Sequence, residues 1–286
     1  MKIIVSTEST ADLTKEQREQ YNIRSICFLI NLGPDVKTDG DIPNLEIFDY
    51  VTRTKQLPKT SAVNTFQYEE YFRSLLNECD EVVHIGFSSA LSSAFQNATI
   101  AANSFNGKVH LIDSLSLSSG IGLLAIYAAE LVAQGLSTNE IVEKVNARVK
   151  AVQASFVLPN VEYLYKGGRC SKVAFLGANI FHICPQILVT DGKMDAGKKY
   201  RGKFYNVVAQ YVDDVLKQFN HPDLSKVFIT YSSLDDEDNI VNMVRDKLIA
   251  RGFKNVLIST AGSTIACHCG PNTIGILYIN DEQQKE

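Results

Sequence analysis

Ser88, Ser89, Ser92 and Ser93 place four hydroxyls directly after the apolar run Glu81-Val82-Val83-His84-Ile85-Gly86-Phe87. A buried strand that hands over to a helix at this point makes an anion site, because unpaired backbone N–H groups, the positive end of the helix dipole and hydroxyl donors converge there. In a parallel sheet the same point lies at the carboxyl edge, where such folds bind ligands. One serine there would be a plain N-cap with its neighbours turned to solvent; four within six residues point to a ligand. Lys59-Thr60-Ser61-Ala62-Val63-Asn64 offers a second hydroxyl pair just ahead of a helix, although a capped turn explains it equally well. His268 lies in Cys267-His268-Cys269-Gly270-Pro271, where the Gly-Pro pair predicts a tight loop that holds the ring either as a structural group or toward a bound one. Hydroxyls, helix ends and one histidine suit a carboxylate better than a phosphate, since no Walker-type loop or arginine cluster gathers around them.

Two other chemistries compete for the same residues. Cys267, His268 and Cys269, joined by His182 and Cys184, invite a metal reading, but ligands separated by one residue do not match the two-to-four-residue zinc loop. No metal and no other cofactor is expected. Gly86-Phe87-Ser88-Ser89-Ala90 approximates the nucleophile elbow of a serine esterase, and Asp235 or Asp236 followed by His268 supplies the chain order of a triad. Against it, Ala90 stands where a glycine belongs, no histidine-glycine-rich oxyanion segment precedes it, and a hydrolase needs one serine rather than four. A third reading, a ligand-free protein whose hydroxyl-rich turns are only caps, predicts an absent cavity.

The elements that must position these residues follow from periodicity. Lys2–Ser6 and Arg24–Ile30 read as strands around a helix at Thr14–Tyr21, and Pro58–Ser61 reads as a turn. Asn64 or Thr65 caps a helix with Phe66, Tyr71, Phe72, Leu75 and Leu76 on its stripe. The strand at 81–86, a helix from about Leu91 to Phe105, the strand Lys108–Ile112 and a Ser137–Glu140 capping box complete an alternating half. From about residue 152 the order changes: Ala154–Leu158, a Lys166-Gly167-Gly168-Arg169 break, an Asp191-Gly192 hairpin turn, and strands at Lys226–Tyr231, Asn255–Ser259 and Thr273–Ile279. The expectation is an α/β protein of two α/β domains. Residues 1–152 would form a Rossmann-like parallel sheet with helices on both faces, and 153–286 an α/β domain with a mixed sheet.

Composition narrows the partners. Lys and Arg number 28 against 32 Asp and Glu, so no basic stripe for nucleic acid is expected. The N-terminal apolar run, Ile3 to Val5, is too short for a signal peptide, and no segment reaches the ~20 apolar residues of a membrane span. Ile121–Ala133 comes nearest, but it contains Glu130 and reads as a buried core helix. The expected compartment is the cytoplasm, with six reduced cysteines.

Pro58-Lys59-Thr60-Ser61, Ser88-Ser89-Ala90-Leu91-Ser92, Asp113-Ser114, Leu164-Tyr165-Lys166-Gly167-Gly168-Arg169, Asp191-Gly192 with Lys199 and Arg201, and His268-Cys269-Gly270-Pro271 resemble, in order and spacing, the DegV family. The resemblance spans nearly the whole chain. It implies two α/β domains, a long-chain fatty acid buried between or within them, and no catalysis by the chain itself. It further implies a partnership with a bacterial fatty acid kinase, whose catalytic subunit carries the ATP site, and only transient membrane contact for lipid exchange. By the same resemblance Thr60, Ser61, Ser92 and His268 hold the carboxylate, with Ser93 standing in for a missing hydroxyl, and Arg169 and Arg201 dock the kinase. Both arginines read equally as solvated surface charges. The chain departs from the family pattern at Glu8, at Ser93-Ala94-Phe95, at Cys170 and at Asn272.

Overall fold

The computed structural model describes residues 1–170 and 183–281. The chain opens with strand β1 (Ile3–Glu8), helix α1 (Lys15–Gln20), strands β2 (Ile23–Ile26), β3 (Leu29–Leu32) and β4 (Asp35–Thr38), helix α2 (Asn44–Thr54) and strand β5 (Lys59–Ser61). Helix α3 (Thr65–Leu76), β6 (Glu81–Gly86), α4 (Ala94–Ala102), β7 (Val109–Asp113), α5 (Ser119–Ala133) and α6 (Thr138–Val149) follow. The second half comprises β8 (Val152–Val157), α7 (Glu162–Gly167), β9 (Ile183–Thr190), β10 (Lys193–Arg201) and α8 (Phe204–Gln218). It ends with β11 (Lys226–Tyr231), α9 (Glu237–Arg251), β12 (Asn255–Thr260), α10 (Ser263–Cys269) and β13 (Ile274–Ile279).

Strands β2-β1-β6-β7 form an all-parallel sheet, and β10-β9-β8-β13-β11-β12 a mixed one. The α/β class and the change of sheet type between the halves thus follow the sequence pattern. The period of two explains the layers. Ile3, Val5, Val83 and Ile85 face one core with α5 and α6, while Ile4 and Val82 face another with α3 and α4. On the mixed sheet, Ala154, Phe156, Phe228 and Leu277 face the first core, and Val157, Val227, Ile229 and Ile276 pack against α8 and α9. Helix α5 therefore lies between the two sheets, touching β1 and β6 on one side and β8, β11 and β13 on the other. That position explains a helix apolar on nearly every side, with ten of its residues buried.

Several local expectations are corrected. Arg24–Ile30 is not one strand: β2 edges the parallel sheet, the chain turns at Cys27-Phe28, and β3 becomes the centre of a small antiparallel sheet, β4-β3-β5. Pro58–Ser61 is not a turn, because Lys59, Thr60 and Ser61 pair with Asn31, Ile30 and Leu29. On α3 the buried stripe is Tyr68, Phe72 and Leu75, while Phe66 is 70% exposed. Helix α4 starts at Ala94 rather than near Leu91. Residues 263–269 form a helix rather than a loop, so His268 occupies a last helical turn. The Asp191-Gly192 turn is a two-residue hairpin connection, with φ of 47° and 78° at the two residues.

Candidate functional site

The six residues after β6 form a turn rather than a first helical turn. Phe87 N–H donates to the buried Glu8 carboxylate at 3.0 Å, fixing the exit from the strand. Leu91 and Ser92 N–H both donate to the Ser88 carbonyl, which closes the turn. Ser88 itself is fully buried, and its hydroxyl donates to the Gly192 carbonyl at 2.8 Å. It locks the β9–β10 turn onto the parallel half and lies outside the ligand-facing group. Ser92 Oγ accepts Ala94 N–H at 3.2 Å and keeps its own proton for a further acceptor. Ser93 occupies the N-cap position of α4 with helical dihedrals and no side-chain cap bond, so its exposed hydroxyl is not spent on capping.

Opposite this turn, β5 and α10 bring together residues 208 positions apart in sequence. Thr60 Oγ1 lies 2.9 Å from His268 Nε2. Ser61, one residue on, points to the other side of the strand, where its Oγ accepts Asn31 Nδ2 at 3.0 Å. The alternation of a strand therefore separates a hydroxyl pair that a turn would have kept together. Burial, reinforced by the Arg169 guanidinium, pushes His268 down to about 4, so the imidazole is neutral at ordinary pH. Its Nδ1 has no hydrogen-bond partner among the described residues.

Thr60, Ser92, Ser93, Arg169 and His268 all line one cavity of about 490 Å³, within the ~300–1,000 Å³ of small-molecule sites. Phe28, Phe87 and Leu117 supply its walls from the first half, and Phe156, Met194 and Leu277 from the second. Three hydroxyls along the second half's wall are internally engaged, with Ser232 donating to the Gly270 carbonyl, Thr273 to the Cys269 carbonyl and Ser155 bonded to Tyr211. The buried Thr264 hydroxyl, also on the lining, has no partner among the described residues. The cavity therefore offers uncommitted donors at the serine turn, at the Thr60–His268 pair and at Thr264, among apolar side chains. Ser61 is not on its lining, and Arg201, exposed at the end of β10, is not either. Arg169, expected at the surface, is exposed and also reaches the lining, with Nη1 donating to the Gly167 carbonyl at 2.7 Å.

The triad expected of an esterase is not assembled. Ser88 is committed to Gly192, Asp235 Oδ2 accepts Asn272 Nδ2, and Asp236 Oδ1 accepts Asn239 Nδ2. A serine–histidine–carboxylate chain does exist at Ser6, His84 and Glu8, with contacts of 2.8 and 3.3 Å. All three are at most 1% exposed, so no substrate reaches them. Among the described residues no group of three or more His, Cys, Asp or Glu side chains is arranged to hold a metal. Cys267 and Cys269 are buried thiols, the latter pushed up to about 12 chiefly by burial, and His182 lies outside the described residues. No helix among the described residues is long and apolar enough to cross a membrane. Phe28, Leu117 and Met194 escaped sequence reading because apolar lining and apolar core look alike in one dimension.

A family model described as an uncharacterised protein of the DegV family matches residues 2–281. A DegV domain-containing protein of Clostridium perfringens is 25% identical over 292 aligned positions, covering 99% of each chain. Among solved structures, a DegV family protein from Thermus thermophilus, described for its fatty acid binding, is 26% identical with a TM-score of 0.89, covering 98% of this chain and all of its own. The fatty acid kinase B3 protein of Streptococcus pneumoniae, loaded with linoleic acid, shares the fold at a TM-score of 0.83 and 19% identity, over 98% of this chain and 100% of that one.

Proposed function

The chain belongs to the DegV family, and on that premise we propose that it carries one long-chain fatty acid, tail in the cavity and carboxylate at the serine turn. The observation that carries this reading is the Thr60–His268 contact on the lining of a cavity that Phe28, Phe87, Leu117, Phe156, Met194 and Leu277 also wall. With Nε2 protonated, His268 donates to Thr60, and the Thr60 proton is then free for the ligand. Ser92 and Ser93 supply further donors, and the carboxylate set is Thr60, Ser92 and Ser93 with His268 behind Thr60. Ser61 is left out of it because Asn31 holds its hydroxyl elsewhere. Each buried methylene contributes about 0.8 kcal/mol, so the tail supplies affinity and the hydroxyls supply orientation.

A carboxylate held near Arg169 at the surface is open to phosphoryl transfer by another protein. We propose the catalytic subunit of a fatty acid kinase as that partner, with Arg169 and Arg201 as its cationic contacts. The protein then works in the cytoplasm and meets membranes transiently to exchange lipid. Mass spectrometry of the purified protein after denaturing extraction tests the central reading: one fatty acid per chain supports it, and a cavity that stays empty after incubation with long-chain acids refutes it.

A further inference from the structure

Helix α10 carries His268 at one end and has Gly262 as its N-cap at the other, so whatever holds its first turn sets where the imidazole stands. Two carboxylates from the first half hold it. Asp12 Oδ1 accepts Gly262 N–H at 2.8 Å, and Asp39 Oδ1 accepts Thr264 N–H at 3.2 Å. The other oxygen of Asp12 accepts the Ser118 hydroxyl at 2.5 Å, and its backbone carbonyl accepts the Ser259 hydroxyl. Asp39 Oδ2 accepts the Ser9 hydroxyl at 2.8 Å. Ser118 lines the cavity as the N-cap of α5, at φ 54° and ψ −145°, a backbone region that costs a residue other than glycine ~1–3 kcal/mol. Asp12 thus ties the start of α5, on one wall of the cavity, to the start of α10, on the other. A β-carbon at Gly262 would stand 3.0 Å from Asp12 Oδ1 and 3.1 Å from Asp39 Oδ1, so both carboxylates flank a single backbone position.

We propose that Asp12, seconded by Asp39, is a positioning residue for His268: its carboxylate hangs the first turn of α10 on the first half of the molecule. Full burial raises Asp12 to about 8, against the Ser118 and Gly262 hydrogen bonds, which favour the ionised carboxylate, and the like charge of Asp39 adds to the rise. From α5 and β12 the groups facing Asp12 are the Ser118 and Ser259 hydroxyls. From α10 and the β2–β3 link, the titratable groups are the thiols Cys269, Cys267 and Cys27, each raised first by burial, with Arg18 acting on Cys27.

The inference rests on the carrier reading for its consequence, so two readouts are paired on the full chain at neutral pH. One is the affinity for cis-parinaric acid, a fluorescent long-chain acid; the other is the imidazole NMR signal of His268 without ligand. Asp12→Ala leaves the Gly262 N–H and the Ser118 hydroxyl without their acceptor, so affinity falls by about tenfold, equivalent to ~1.4 kcal/mol, and the His268 signal shifts. Asp12→Asn, whose amide oxygen still accepts the Gly262 N–H, keeps both close to native. Should Asp12→Ala not fold, Asp39→Ala, which frees only the Thr264 N–H, carries the comparison with a smaller shift of the same sign. An unmoved His268 signal with native affinity in the alanine variant overturns the proposal. If parinarate does not bind the native chain, the carrier reading fails, and the His268 signal alone still decides the positioning claim.

Discussion

Gly167 and His268 compete for one volume: a β-carbon on Gly167 would stand 2.6 Å from Nδ1 of His268. Around that contact the Lys166-Gly167-Gly168-Arg169 segment acquires a physical meaning. Gly167 ends α7 and makes room for the ring. Gly168 takes the left-handed conformation that terminates the helix, at φ 72°. Arg169 then folds back onto the Gly167 carbonyl beside the cavity.

Gly167→Ala should therefore act on the site rather than on the helix. Alanine is the better helix former by about 1 kcal/mol, so the thermal midpoint should hold or rise slightly. Fatty-acid affinity should drop about tenfold as the imidazole is displaced. Native affinity in this variant would contradict the role given to the Thr60–His268 pair.

Thr60→Val and Ser61→Ala separate two neighbours that one-dimensional reading grouped. Removing the Thr60 hydroxyl takes a donor from the headgroup and strands His268 Nε2, at a cost of about 1–3 kcal/mol in binding. Losing the Ser61 hydroxyl affects only the Asn31 contact and should leave affinity unchanged. Isothermal titration with palmitate distinguishes the two, and equal losses would argue against the strand's division of labour.

His268 makes stability depend on acid. Burial first, and the Arg169 charge second, hold its folded value at about 4, below the 6.5 of an exposed imidazole. As pH falls below 6.5 the unfolded chain takes up a proton that the folded site refuses, so this contribution is present above 6.5 and is lost toward pH 4. The slope reaches at most ~1.4 kcal/mol per pH unit. Urea unfolding at pH 7 and pH 5 should show a smaller acid loss in His268→Gln than in the native chain, and parallel losses would remove the histidine from the explanation.

Arg169→Ala should raise the apparent value of His268, since its charge opposes protonation. Ligand affinity should change by less than about tenfold, because the guanidinium is exposed and screened. Turnover with a cognate kinase should fall much further. Lipid loss without a selective kinase defect would assign this arginine to the pocket alone.

Ser88→Ala should cost stability, not chemistry. The variant leaves the buried Gly192 carbonyl without its donor, a loss of about 1–3 kcal/mol measurable as a lower denaturant midpoint. A reactive-serine probe should leave Ser88 unlabelled in the native chain, and stoichiometric labelling there would revive the esterase reading.

The sequence by itself determined the class of the fold and most of its elements, because periodicity and capping are local. Thr14 with Gln17, Asn64 with Gln67 and Ser137 with Glu140 all form capping boxes between residues three apart. It also supplied the residue types of the site, since serines after a buried strand and a lone histidine before Gly-Pro are visible in one dimension. Tertiary structure decided which of them meet. Ser88 looks like the other serines in the chain, yet packing turns it onto Gly192, and Ser61 parts from Thr60 once the two residues pair with β3 as a strand. The small β4-β3-β5 sheet was illegible because the apolar run 24–30 stays continuous while its two ends join different sheets. Asp12 reads as an ordinary loop acid; its meaning comes from Gly262, 250 residues away in sequence. Long-range contacts are fixed by how layers pack and bury their shared faces, and no local pattern encodes that.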